Sequence, residues 1–118
     1  MKKTIGILLA SGIALVALAI PALGSTAGQS LRVSEVDGRI SLSARPKAGT
    51  VRFVVRNKGG DEHNFMIRGG GKRWSTRVLD TGSTQTLTAK LKKGVRYSYW
   101  CGVSDHAQEG MRGSFVAR

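Results

Sequence analysis

The chain has 118 residues, among them 16 glycines, 2 prolines and 1 cysteine. A domain of this length has room for one two-layer core but not for the deep cleft of a large enzyme. One cysteine excludes an internal disulfide framework. High glycine with 22% charged residues is typical of an ordered, turn-rich β domain rather than a disordered chain.

The first 24 residues have the pattern of a secretory signal peptide. Lys2 and Lys3 precede a nearly uninterrupted apolar run over 4–20, and small residues at positions 22 and 24 suit cleavage before Ser25. A second possible site lies at 25–27. An uncleaved anchor is the alternative, because the run approaches the shortest helix that spans a bilayer. We expect an exported protein, periplasmic or extracytoplasmic, with one domain over 25–118.

The remaining chain is strongly basic, with 17 lysines and arginines against 7 acidic residues and a net charge of +10. The basic residues are scattered, and export separates the chain from nucleic acid, so we expect no nucleic-acid partner. Arg52, Arg56, Lys90 and Arg96 occupy polar positions of predicted strands. They form either a solvated strand face or a surface that steers the protein toward an acidic partner or an anionic envelope surface.

Apolar and polar residues alternate with a period of two after residue 30. The alternation predicts, in chain order, strands near 31–35, 40–44, 51–56, 63–67, 86–91, 95–101 and 111–116. Asp37-Gly38 and Lys93-Gly94 are turn signals, and Glu35 shares a face with Leu31 and Val33. The segment 74–80 fits either a short strand or an irregular crossing. Seven to eight short strands without a helical period indicate one all-β domain, a β-sandwich.

The single cysteine stands in a spacing that suits a metal site. Cys101 is followed by His106 and then Met111 at intervals of five, and His63 is the only other histidine. Strand parity turns His63 and Cys101 the same way as their apolar neighbours, so both reach one point if both faces line the interior. Two imidazoles, a thiolate and a thioether are the donor set of a blue-copper electron-transfer site.

These segments resemble those of the cupredoxins, the blue copper proteins that include plastocyanin, azurin, rusticyanin and the phytocyanins. Residues 61–65 (DEHNF) resemble the segment with the first ligand, and 97–113 resemble the ligand loop, with a Cys-x4-His-x4-Met spacing similar to that of rusticyanin and some phytocyanins. The resemblance covers about residues 30–118. It implies a Greek-key sandwich, with His63, Cys101, His106 and Met111 as ligands of one mononuclear copper ion.

The resemblance also implies that Asn64 ties the two ligand segments together by hydrogen bonds. One departure is Ser104-Asp105, where many family members have proline and glycine before the second histidine. This difference affects the exposed rim and the redox potential rather than the ligand set.

Other chemistry is less well supported by the same residues. Cys101 and His106 have no evident orienting partner for nucleophilic catalysis, so we expect no enzyme. Met66 is turned to the opposite face of its strand and is interpreted as packing. Glu62 and Glu109 are candidate ligands only for a site that is not a blue-copper one.

The leading hypothesis is an exported one-electron carrier in which copper cycles between Cu(I) and Cu(II). We expect a monomer with peripheral or no membrane contact, serving redox proteins that have acidic docking surfaces. The alternative is a protein that buffers or delivers copper in the cell envelope with the same four residues. A third hypothesis is a cationic sandwich that only binds a partner and whose ligands are vestigial.

Overall fold

The computed structural model describes residues 6, 11–17 and 28–118. The predicted signal peptide over 1–24 lies largely outside the described residues and stays a prediction. Within the described ranges, no helix has the length and apolar character needed to cross a membrane. Residues 28–118 contain the strands β1 (Gln29–Val36), β2 (Arg39–Leu42), β3 (Gly49–Asn57), β4 (Met66–Gly69), β5 (Lys72–Ser75), β6 (Thr84–Leu91), β7 (Arg96–Trp100) and β8 (Arg112–Val116).

The strands form two four-stranded sheets, in the orders β2-β1-β3-β6 and β5-β4-β7-β8. Neighbouring strands are antiparallel except β1 and β3, which run parallel. The all-β sandwich predicted from the alternation is therefore confirmed.

The core lies between the sheets and follows the predicted alternation. Val51, Phe53 and Val55 of β3 are fully buried, while the intervening Arg52 and Arg56 are exposed. Aromatic side chains join the layers, with the rings of Phe53 and Phe65 centred 5.6 Å apart. Offset or tilted aromatic pairs stabilise such a core beyond the area that they bury.

The strand predicted over 63–67 is shorter than its alternation indicated. β4 begins only at Met66. Thr76 N–H donates to Phe65 O, Phe65 N–H donates to the Thr76 hydroxyl, and His63 pairs with Leu79 as an isolated bridge. The segment 74–80, for which two structures were predicted, is thus divided. Trp74 and Ser75 are the last residues of β5, and Leu79 lies in the isolated bridge. These contacts draw residues 63–65 out of the sheet while leaving His63 and Phe65 buried.

The topology brings three loops to one end of the sandwich. β4 and β7 are antiparallel with Met66 opposite Trp100, so residues 63–65 before β4 and Cys101 after β7 meet at that end. β1 and β3 are parallel with Glu35 opposite Asn57, so the turn after β1 lies beside the loop that leads to His63.

Candidate metal centre

Three of the four predicted ligands meet at this end. The Nδ1 atoms of His63 and His106 lie 3.8 Å and 3.7 Å from Cys101 Sγ and 3.1 Å from each other. Among the described His, Cys, Asp and Glu residues, these three form the one group able to hold a metal ion. His63 and Cys101 are fully buried, whereas 13% of the His106 side chain is exposed.

His63 is held in place through its backbone and through the outer nitrogen of its ring. Its backbone N–H donates to Leu79 O at 3.1 Å, and Leu79 N–H donates to His63 O at 2.7 Å. The outer ring nitrogen, Nε2, lies 2.8 Å from Asp37 Oδ1. When Nε2–H donates to this carboxylate, Nδ1 is the unprotonated nitrogen, and its lone pair faces the sulfur.

Asp37 is a site residue that the sequence did not identify. Its carboxylate accepts hydrogen bonds from the backbone N–H groups of Gly60 (3.1 Å to each oxygen) and Asp61 (3.2 Å). The His63 hydrogen bond, followed by those from Asp61 and Gly60, lowers the pKa of the Asp37 carboxyl. These hydrogen bonds and the exposure of half of the side chain both favour the ionised carboxylate beside the ring.

Cys101 is buried at the end of β7. Burial is the main reason that the pKa of its thiol is raised, while hydrogen bonds from the backbone N–H groups of Asn64 and Val103 oppose the shift. A bound cation favours the thiolate in such a place, because a metal ion deprotonates a coordinating thiol. Gly102 N–H donates to Asn64 Oδ1 at 2.6 Å, so Asn64 ties the two ligand segments together as expected.

Met111, the fourth predicted ligand, is fully buried beside Cys101. Its carbonyl accepts a 3.0 Å hydrogen bond from Cys101 N–H, and its own N–H donates to His106 O at 3.0 Å. The β7–β8 register pairs Tyr97 with Phe115 and Tyr99 with Gly113. Continuing the register by two residues along each chain places Met111 opposite Cys101. Side chains directly opposite on one face have Cβ atoms about 4.5–5.5 Å apart, which brings the thioether to the same end of the core.

His106 lies on the loop that connects Cys101 to Met111. The loop is held by successive turns, and Ser104 adopts a positive φ of 46°, a left-handed conformation that is uncommon for residues other than glycine. The nearest carboxylate to the outer nitrogen of His106 is that of Asp61, at 3.9 Å and 65% exposed. The two histidines therefore differ in what holds their outer nitrogens.

Glu35 is a buried acid beneath the site. It is fully buried, and neither carboxylate oxygen has a hydrogen-bond partner within 28–118. Desolvation raises the pKa of Glu35 to about 8, and a charge on it raises the pKa of Cys101. Strand parity put Glu35 on the same face as Leu31 and Val33, but its burial without a partner was not predicted.

No known family profile and no curated protein matches the sequence. Solved structures do match: dithionite-reduced auracyanin from Roseiflexus castenholzii has a TM-score of 0.64 and 15% identity, covering 77% of this chain and 98% of its own. Auracyanin B matches with a TM-score of 0.65 and 18% identity, over 76% and 88% of the two chains. The fold is that of the cupredoxins.

A multicopper oxidase also matches, with a TM-score of 0.55 and 18% identity over 75% of this chain but 41% of the oxidase. Identities of 15–18% establish the fold alone, so the chemistry of the site has to be argued from its own atoms. Two imidazole nitrogens and a sulfur, all within 4.8 Å of one another, are a set that copper accepts, because imidazole suits copper and soft sulfur selects Cu(I). The residues present therefore fit a copper ion.

Proposed function

We propose that this protein is an exported electron carrier in which His63, Cys101, His106 and Met111 hold one mononuclear copper ion. The observation that supports the proposal most strongly is the meeting of two imidazole nitrogens and one cysteine sulfur at the end of a cupredoxin sandwich. A copper ion bound there would supply one-electron chemistry, alternating between Cu(I) and Cu(II).

The scaffold supports carrier function because it restrains the donor atoms. The bridge between His63 and Leu79, the hydrogen bond from Gly102 to Asn64 and that from Cys101 to Met111 connect the ligand segments to one another and to the segment between β5 and β6. Donors that keep their positions in both oxidation states add little rearrangement to the barrier for electron transfer. The buried polar groups involved are satisfied by one another, which favours a single arrangement.

His106 is the proposed exit for the electron. It is the one of the three clustered side chains with an exposed edge, and electronic coupling falls steeply with distance. A carrier must leave its partner after each transfer, so we expect a small, weak contact around this edge, at the low end of interface sizes.

The charge distribution bears on how a partner approaches. Five of the seven acidic residues lie in the loops around the site, whereas exposed arginines and lysines line the outer strand faces; the acids are Asp37, Asp61, Glu62, Asp105 and Glu109. We propose that the basic strand faces steer the approach of redox proteins that carry acidic surfaces, and that the patch around His106, which these five acids border, meets a neutral or basic part of the partner. Transfer to such a partner should slow as salt increases, and a rate independent of ionic strength would contradict the steering.

The alternative function is buffering or delivery of copper by the same residues. Voltammetry of the copper-loaded protein and competition with a Cu(I) chelator separate the two. A carrier gives a reversible one-electron wave and releases Cu(I) slowly. Rapid loss of Cu(I) with no reversible wave would overturn the carrier proposal and favour delivery. We propose no enzymatic activity. Asp37 orients His63 beside Cys101, but the thiol is fully buried and burial raises its pKa, whereas a catalytic cysteine needs access to substrate and thiolate character.

A further inference from the structure

We propose that Asp37 is a positioning residue for His63: its carboxylate fixes the ring with Nδ1 facing inward and strengthens that nitrogen as a donor, which favours Cu(II) over Cu(I). This inference rests on the proposed copper function. It assigns to a turn residue between β1 and β2 a part in setting the reduction potential of a centre whose ligands all come from other segments.

The geometry of the ring carries the first step. Asp37 Oδ1 lies 2.8 Å from Nε2, and the opposite ring nitrogen lies 3.8 Å from Cys101 Sγ. A charged acceptor on one nitrogen holds the proton there and increases the electron density at the other. Carboxylates that accept the second ring N–H of a ligating histidine act in this way, fixing the tautomer and raising the basicity of the ligand.

The carboxylate is itself held in place. The backbone N–H groups of Gly60 and Asp61 donate to it at 3.1–3.2 Å, so it does not depend on the imidazole for its orientation. Gly59 makes the approach possible: a Cβ there would collide with Asp37 Oδ1 and stand 2.9 Å from His63 Nε2. Three successive residues of the 57–61 loop thus leave room for this contact or support it.

The turn is also packed against the ligand loop. A Cβ at Gly110 would stand 2.7 Å from Gly38 O, so the Asp37-Gly38 turn touches both the segment before His63 and the end of the loop that bears His106. The turn that carries the carboxylate is therefore held between two ligand segments. His106 has no equivalent partner within 28–118, because the nearest carboxylate, that of Asp61, lies 3.9 Å away.

A purely structural role for Asp37 makes different predictions. Asp-Gly is a common turn pair, and Asp37 accepts hydrogen bonds from the N–H groups of Gly60 and Asp61, so the loss of Asp37 lowers stability in either case. Only the positioning role also changes the proton position on His63 and the relative affinity for the two copper oxidation states. The test therefore uses the tautomer and the potential, with the free energy of unfolding as a separate measurement.

The experiment compares Asp37→Asn, Asp37→Ala and the control Glu62→Gln. The amide oxygen introduced by Asp37→Asn can still accept from Nε2–H but has no charge, and alanine removes both effects. Glu62 is adjacent to His63, is exposed and makes no side-chain hydrogen bond within 28–118, so its substitution removes the same charge without touching the ring. Nitrogen NMR of the metal-free proteins reports the tautomer, and voltammetry of the copper-loaded proteins reports the potential.

We expect the Nε2–H tautomer in wild type and in Asp37→Asn, and its loss in Asp37→Ala. Loss of an outer-shell partner weakens metal binding about 10–100-fold, and the half-exposed Asp37 belongs at the low end. A tenfold loss of affinity that is confined to Cu(II) raises the reduction potential of both Asp37 variants by about 59 mV. Glu62→Gln should shift the reduction potential much less.

Two results would overturn the inference alone: an Nδ1–H tautomer of His63 in the wild type, or Asp37 variants with the potential of Glu62→Gln. A wild-type chain that takes up no copper would overturn the proposed function and the inference with it. The metal-free NMR measurement would still show whether Asp37 orients the ring, so the two failures are distinguishable.

Discussion

The two imidazoles of the candidate site occupy opposite kinds of surroundings. His63 is fully buried, bridged to Leu79 and hydrogen-bonded to Asp37, whereas His106 lies on an eleven-residue loop, Cys101 to Met111, with 13% of its side chain exposed. Both present Nδ1 to the same sulfur. We therefore propose two separate tasks: the His63 side holds the metal and sets its reduction potential, and the His106 side contacts the redox partner.

The largest effect is expected at the sulfur that both sides share. Cys101→Ser should abolish the intense visible absorption of the Cu(II) protein, because that absorption arises from charge transfer between thiolate and copper. Met66→Leu is the control, since it removes a sulfur outside the predicted ligand set. A blue colour retained by Cys101→Ser would contradict the assignment of the cysteine as a ligand.

Replacing each histidine by glycine tests the comparison directly. Both variants should lose more Cu(II) affinity than the roughly 10–100-fold typical of an outer-shell substitution. Added imidazole should restore the visible spectrum of His106→Gly, because the vacated space opens at the surface. It should restore His63→Gly far less, because that space is closed by the Asp37 loop. The measurement is an imidazole titration of each variant. Equal restoration of the two spectra would contradict the distinction between a buried, restrained His63 and an exposed His106.

Glu35 and Asp37 give a second contrast two residues apart, and it predicts a pH dependence of stability. Glu35 has no partner within 28–118 and a pKa raised from 4.5 to about 8. Between these values the folded chain binds the proton and the unfolded chain releases it, so stability falls as pH rises and levels off above about 8. The slope approaches about 1.4 kcal/mol per pH unit.

Glu35→Gln should remove that slope. Urea unfolding of the metal-free protein from about pH 5 to about pH 8.5, the window set by the two pKa values, measures it, with Glu62→Gln as the exposed control that keeps the wild-type profile. A slope that survives in Glu35→Gln would show that another group titrates.

The smallest effect is expected at Met111. Met111→Gln should keep the colour but lower the reduction potential by ~60 mV, which corresponds to a tenfold change in the affinity ratio of Cu(II) to Cu(I). The physical reason is that an amide oxygen favours Cu(II) more than a thioether does. Voltammetry decides, and a potential equal to that of wild type would mean that Met111 is not a ligand.

Alternation predicted the sandwich. The meeting of four side chains was predicted from strand parity for His63 and Cys101, from the spacing of His106 and Met111 on the following loop, and from the family resemblance; the structure clusters the first three. Parity fixed the inward direction of Phe53, His63 and Cys101 without knowledge of their neighbours, and the structure places all three inside. Parity also put Glu35 on the face of Leu31 and Val33, but nothing local indicates whether a carboxylate on that face is buried or finds a partner. The start of β4 was missed because the backbone of Phe65 pairs with Thr76, a contact made by tertiary packing.

Asp37 was not found for a similar reason. Asp37-Gly38 is fully accounted for as a hairpin turn, and Gly38 adopts the expected positive φ of 84°. The contact with His63 spans 26 residues and depends on the parallel pairing of β1 with β3 and on the missing side chain of Gly59. Only a combination of features could have indicated it. Asp37 lies in the turn that ends β1, β1 pairs in parallel with β3, and β3 is followed by the loop that carries His63.

The most direct test of the copper assignment is a titration of the purified protein with Cu(II), followed by its visible spectrum. The account predicts an intense visible band that grows with added copper and stops at one ion per chain. A chain that stays colourless, or that binds copper without this band, would contradict the claim that the cysteine and the two histidines share one ion.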